Sequence, residues 1–118
     1  MSASPRIEVR DTDGVKVVRL LDSQIFDERV CRESAEQVSS VLPNDGTPIL
    51  LVIDFSEVTL ISSTFLSKLI LLQRRIDGTH GKMRLCEMSP ILQSVFRTSN
   101  LDRLFGIDRD VRAALAAF

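Results

Sequence analysis

The 118-residue sequence predicts a single α/β domain spanning residues 1–118. Its central sheet is mixed, opening with an antiparallel hairpin and continuing with parallel strands, with helices packed on it. Three observations carry this expectation. Two strand-like runs near the start flank a short Asp/Gly turn. Pro48 to Ile53 is an uninterrupted aliphatic run bounded by turn residues. Beyond it, strand-like and helix-like segments alternate along the chain.

The elements follow in order. Ile7 to Arg10 alternates apolar and polar residues, Asp11 to Gly14 supplies turn chemistry, and Val15 to Leu20 reads as the returning strand. Asp27 is an expected N-cap for a helix over about Glu28 to Leu42, with Val30, Ala35, Val38 and Leu42 as its apolar stripe. Pro48 to Asp54, apolar on both faces, predicts a central strand covered on both sides. A second helix starts at Ser62 or Ser63 and runs to about Asp77, where Gly78 and Gly81 break it. Lys82 to Cys86 is a short strand. Ser89 followed by Pro90 is a helix start, placing Ile91, Leu92, Val95 and Phe96 on one side. Leu104 to Ile107 is a last short strand. Asp108 or Asp110 then opens a C-terminal helix with Val111, Ala114, Leu115 and Phe118 at helical spacing.

Composition excludes several classes of function. Fifteen basic and sixteen acidic residues leave a formal charge of −1, so no basic footprint for nucleic acid or an anionic membrane is expected. Cys31, Cys86 and the single histidine, His80, have no metal-ligand spacing, so neither a metal nor another cofactor is expected. The first residues do not resemble a signal peptide, and the longest apolar runs fall far short of a membrane span. The expectation is a cytoplasmic protein without direct membrane insertion. No nucleophile elbow or glycine-rich phosphate loop is present. His80 reads as a solvated loop residue, Cys86 as a small core residue, and Arg74 with Arg75 as a solvated helix face. The chain is not expected to be an enzyme.

The informative segment runs from Asp54 to Leu69, from the end of the buried strand into a helix that opens with Ser62, Ser63 and Thr64. A helix N-terminus presents unpaired N–H groups and the positive end of the dipole, which favour an anion. A phosphate on any of the three hydroxyls would be accommodated there and would change the surface charge by about −1.5 to −2. The alternative is that the run only caps the helix. At 100° per residue, Phe65, Leu66, Leu69, Ile70, Leu72 and Ile76 form the core arc. Thr64, Ser67, Lys68, Leu71 and Arg75 fall on the opposite arc. Leu71 is then either a lone exposed leucine or part of a contact strip beside Thr64. Asp27 is either a cap alone or a member of the same surface.

This stretch resembles the signature of STAS domains (sulfate transporter and anti-sigma factor antagonist), especially the stand-alone bacterial antagonists. Asp54 and Phe55 match the strand end of the family pattern, and Leu60 with Ile61 its apolar pair. Ser62 falls where the family usually has Asp, Ser63 on its first serine, and Thr64 on the phosphorylated hydroxyl. Phe65 falls on the glycine and Leu66 on the following aliphatic residue. Phe26 with Asp27, Lys82 to Cys86, and the tail from Leu101 extend the resemblance over nearly the whole chain. It implies a non-enzymatic regulator that binds an anti-sigma factor or serine/threonine kinase and so releases a sigma factor. Thr64 is the implied phosphoacceptor, with Ser63 as the alternative. Together with the helical phase, this makes Asp27, Ser62, Ser63, Ser67, Lys68 and Leu71 the candidate partner-binding residues. A scaffold that is never phosphorylated, or a cytoplasmic accessory subunit of a membrane transporter, is the alternative implication. Ligand binding at the Thr64 helix end is a weaker third.

Overall fold

Asp13 and Gly14 both adopt positive φ, 51° and 82°, the combination that closes a two-residue hairpin matching strand twist. The computed structural model describes residues 4–118. Strands β1 (Ile7–Thr12) and β2 (Val15–Leu20) pair antiparallel from Ile7 opposite Leu20 to Thr12 opposite Val15. The expected turn of Asp11 to Gly14 is therefore too long. Two residues suffice for the turn, and Asp11 and Thr12 join the ladder.

The remaining elements are β3 (Gln24–Ile25), α1 (Glu28–Ser40), β4 (Leu50–Asp54), β5 (Leu60–Ile61), α2 (Ser63–Asp77), β6 (Lys82–Cys86), α3 (Pro90–Thr98), β7 (Gly106–Asp108) and α4 (Val111–Ala116). The main sheet has the order β1-β2-β4-β6-β7, parallel at every pairing after the hairpin. Because the strand order advances in one direction, right-handed crossovers place α1, α2 and α3 on one face. There Val18, Leu51, Ile53 and Leu85 of the sheet meet Val38, Phe65, Leu69 and Phe96 of the helices. The opposite face carries α4, whose Ala114 packs with Val15, Val17, Val52 and Cys86. Leu51, Val52 and Ile53 are fully buried, two facing the first layer and one the second. That is why the run is apolar at every position.

Several boundaries differ from the sequence expectation. β4 starts at Leu50, not Pro48. Ile49 lies outside the ladder but is fastened by the Thr79 hydroxyl, which its N–H reaches at 3.1 Å, and by Lys82, whose N–H donates to its carbonyl at 2.8 Å. α1 ends at Ser40 with Val41 as its C-cap, although Leu42 beyond it is still buried. Asp110, not Asp108, caps α4 by accepting the Ala113 N–H at 2.8 Å. Asp108 instead binds the Arg84 guanidinium through both oxygens, at 2.7 and 3.0 Å. The last strand is not Leu104 to Ile107, because a 3-10 turn over Leu101–Arg103 delays it to Gly106. Leu104 turns outward, while Phe105 enters the core and meets Phe96 edge-on at 5.7 Å. Ile91 is exposed rather than on the core side of α3. Leu92 and Phe96 hold that side, and one residue back along a helix is 100° away. Phe118 lies beyond α4 and is exposed, with the Lys82 ammonium 5.9 Å from its ring centre.

Candidate functional site

A second, two-stranded sheet pairs β3 with β5 in parallel, Gln24 opposite Leu60 and Ile25 opposite Ile61. The residues leaving these strands open α1 and α2, so the pairing brings two helix N-termini together. The Ser62 N–H donates to the Ile25 carbonyl at 2.9 Å, extending the pairing to the cap itself. Upstream, Asp54 is buried at the end of β4. One of its oxygens binds Arg19 at 3.2 Å and the other accepts the Ser56 N–H at 2.7 Å, which sets the path from β4 into β5.

Asp27 caps α1, its side chain accepting the Val30 N–H at 2.8 Å. Ser62 caps α2, its hydroxyl accepting the Phe65 N–H at 3.2 Å. That hydroxyl also lies 3.3 Å from the Cys31 thiol. The Ser62 oxygen is thus engaged on two sides. Ser63 and Thr64, which begin the helix, are exposed. The expectation that the hydroxyl run caps α2 holds for Ser62, leaving the next two hydroxyls at the positive end of a 15-residue helix.

Along α2 the phase matches the expected arcs. Phe65, Leu69 and Ile76 are buried, and Gln73 joins them, while Thr64, Ser67 and Leu71 are exposed and Lys68 is half-buried. Leu71 is 63% exposed. The Ser67 hydroxyl donates to the Ser63 carbonyl at 3.1 Å. Phe65, which falls on the family's glycine, directs its ring into the core and is 2% exposed, so it does not obstruct the helix end. All seven candidates lie among the first nine residues of α2 or at the caps of α1 and α2.

Two apolar residues of this surface were not singled out as site residues. Ile25 and Ile61 face the core, so strand alternation turns Phe26 and Leu60 outward, and they are 51% and 37% exposed. Phe26 directly precedes the α1 cap Asp27, and Leu60 lies two residues before the α2 cap Ser62. The signal was present in the pairs Phe26–Asp27 and Leu60–Ile61, but their outward orientation depends on a pairing between segments 36 residues apart.

Among the described residues no group of His, Cys, Asp and Glu side chains could hold a metal ion. His80 is an exposed turn residue with φ of 59°. Cys86 is fully buried, and desolvation, reinforced by the nearby Asp54 carboxylate, pushes its pKa up to about 12. It is a thiol at neutral pH, not a nucleophile. No described helix is long and apolar enough to cross a membrane.

Residues 6–114 match the STAS domain family. BtrV of Bordetella bronchiseptica, a provisionally assigned anti-sigma factor antagonist, is 31% identical over 68 residues, which are 58% of this chain and 59% of that protein. The chain thus aligns with less than two thirds of that relative's length. A STAS-domain anti-sigma factor antagonist protein of Planctomyces limnophilus superimposes with a TM-score of 0.84 at 22% identity, covering 98% of both chains. An anti-sigma factor antagonist of Mycobacterium paratuberculosis superimposes with a TM-score of 0.80 at 26% identity, covering 94% of this chain and 91% of that one.

Proposed function

The chain belongs to the STAS domain family, and from that premise we propose that it is an anti-sigma factor antagonist, a regulator that binds an anti-sigma factor with serine/threonine kinase activity. The observation that carries this reading is the division of labour in the hydroxyl run. Ser62 caps α2 and is held by Cys31, whereas Ser63 and Thr64 are exposed beside it. A helix needs one cap, so the adjacent exposed hydroxyls are available to a partner. Phe26 and Leu60 supply exposed apolar contact area near the two helix caps, and Leu71 extends it along α2. An apolar centre with a polar rim is the common anatomy of a protein interface.

Thr64 is the proposed phosphoacceptor, with Ser63 as the alternative. A phosphate there is compatible with the fold, because the dipole of α2 and the ammonium of Lys68, four residues on, both favour negative charge. Partner binding pays the cost, since a doubly charged group must be desolvated at the interface or face like charge across it. The protein switches by electrostatics at one helix end rather than by rearranging its core.

The test is incubation with the cognate kinase and ATP, followed by mapping of phosphate by mass spectrometry. Thr64 carries the modification if the reading is right. Modification of Ser63 alone shifts the acceptor by one residue. No modification with binding retained identifies a constitutive scaffold, and capture of a membrane transporter in place of a kinase overturns the assignment.

A further inference from the structure

An open groove of about 220 Å³ runs between α1 and α2. Its floor is apolar, formed by Ala35 and Val38 of α1 and by Phe65, Leu69 and Leu72 of α2. Its lining contains two cations, Lys68 and Arg75, and no carboxylate. Neither cation is in an ion pair among the described residues, and Arg75 donates to the Pro43 carbonyl at 3.3 Å. Between them on the same helix stands Leu71, also lining the groove. The groove is thus an apolar trough beside positive charge left without a counter-charge.

We propose that this groove docks an acidic amphipathic helix of a protein partner. Lys68 and Arg75 are seven residues apart, about 10.5 Å along the axis of α2. A helix lying along the groove repeats its own faces every seven residues, so carboxylates at i and i+7 meet both cations together. Apolar residues between those carboxylates enter the trough against Leu71 and Leu72. This is the helix-in-groove mode of recognition, with apolar anchors for affinity and flanking charge for orientation. A small anion fits less well. The trough is below the roughly 300–1,000 Å³ of small-molecule pockets.

The inference rests on the partner-binding reading only in treating the α2 side as a docking face; it needs neither a kinase nor a phosphate. The experiment is a titration of the isotope-labelled full chain, followed by amide NMR, with a synthetic 21-residue helical peptide. The peptide carries a leucine stripe flanked by glutamates seven residues apart. A second peptide has lysine at those glutamates, and decanoate serves as a single-headed anion. The acidic peptide should shift the amides of Ala35, Val38, Lys68 and Leu72 and bind at least tenfold more tightly than the basic one. The double variant Lys68→Glu, Arg75→Glu should reverse that preference while retaining a folded spectrum. Equal affinity for the two peptides, no binding of the acidic peptide, shifts confined to other elements, or competition by decanoate would each overturn the proposal. Failure of kinase binding with these results intact would count against the antagonist reading alone.

Discussion

The Cys31 thiol lies 3.3 Å from the Ser62 hydroxyl, joining the first turn of α1 to the cap of α2. The same sulfur is 3.7 Å from the Ile25 carbonyl and 3.6 Å from the Phe26 carbonyl. A fully buried side chain of one helix thereby holds the residue that orients Ser63 and Thr64.

Ser62→Ala removes the cap acceptor and should destabilise the protein by about 1 kcal/mol. For a domain of this size, that lowers the melting temperature by about 4 °C. Ser62→Asp, which restores the family's usual residue, caps equally well and should melt near the wild type. Calorimetry separates the two variants. A Ser62→Ala protein with unchanged melting would show that α2 starts without this cap.

Leu69 and Leu71 differ in consequence because the helix turns them to opposite sides. Leu69 is 3% exposed and Leu71 63%. Leu69→Ala should cost about 3 kcal/mol through the cavity it leaves. Leu71→Asp should change stability by no more than about 0.5 kcal/mol, while weakening partner binding. Denaturant titration of both variants, followed by a binding measurement on Leu71→Asp, checks each half.

Much of this was readable from sequence because periodicity and capping are local. The two-faced aliphatic run placed β4, the helical phase of Phe65 to Ile76 placed Thr64 and Leu71 outside, and Ser89 with Pro90 marked the start of α3. The small β3–β5 sheet was not readable, since two residues are too few to show alternation and their pairing joins distant segments. Ser62 and Ser63 have the same hydroxyl chemistry, so the choice of Ser62 as cap depends on the incoming strand and on Cys31. Ile91 and Leu104 were misplaced for a related reason. Both are apolar beside buried neighbours, and only tertiary packing decides which of them the core accepts.

The thiols give a pH-dependent signature. Cys31 and Cys86 are both fully buried, so neither should react with Ellman's reagent in the native protein at pH 8, and two should react after denaturation. Burial raises the Cys86 pKa from 9.0 to about 12. The unfolded chain therefore loses this proton first as pH rises. The contribution to stability is complete below pH 9 and declines toward pH 12. Cys86→Ala should flatten that alkaline decline in a series of melting curves. Rapid native labelling would contradict the buried assignment.

Gly81 is required for a close approach. A Cβ at this position would overlap the backbone of Ile49, which cannot move aside as a flexible side chain can. Gly81→Ala should destabilise the protein by about 2 kcal/mol or more through this overlap. Chemical denaturation measures it. An unchanged midpoint would mean that the β4 and β6 ends can separate freely.

The central claim, that the exposed start of α2 is the switchable partner surface, is tested most directly by calorimetric titration of the cognate anti-sigma kinase with three proteins. Wild type and Thr64→Ala should bind with similar affinity. Thr64→Glu should bind at least tenfold more weakly while keeping the wild-type circular dichroism spectrum and melting temperature. A Thr64→Glu protein that binds as tightly as the wild type would contradict the claim.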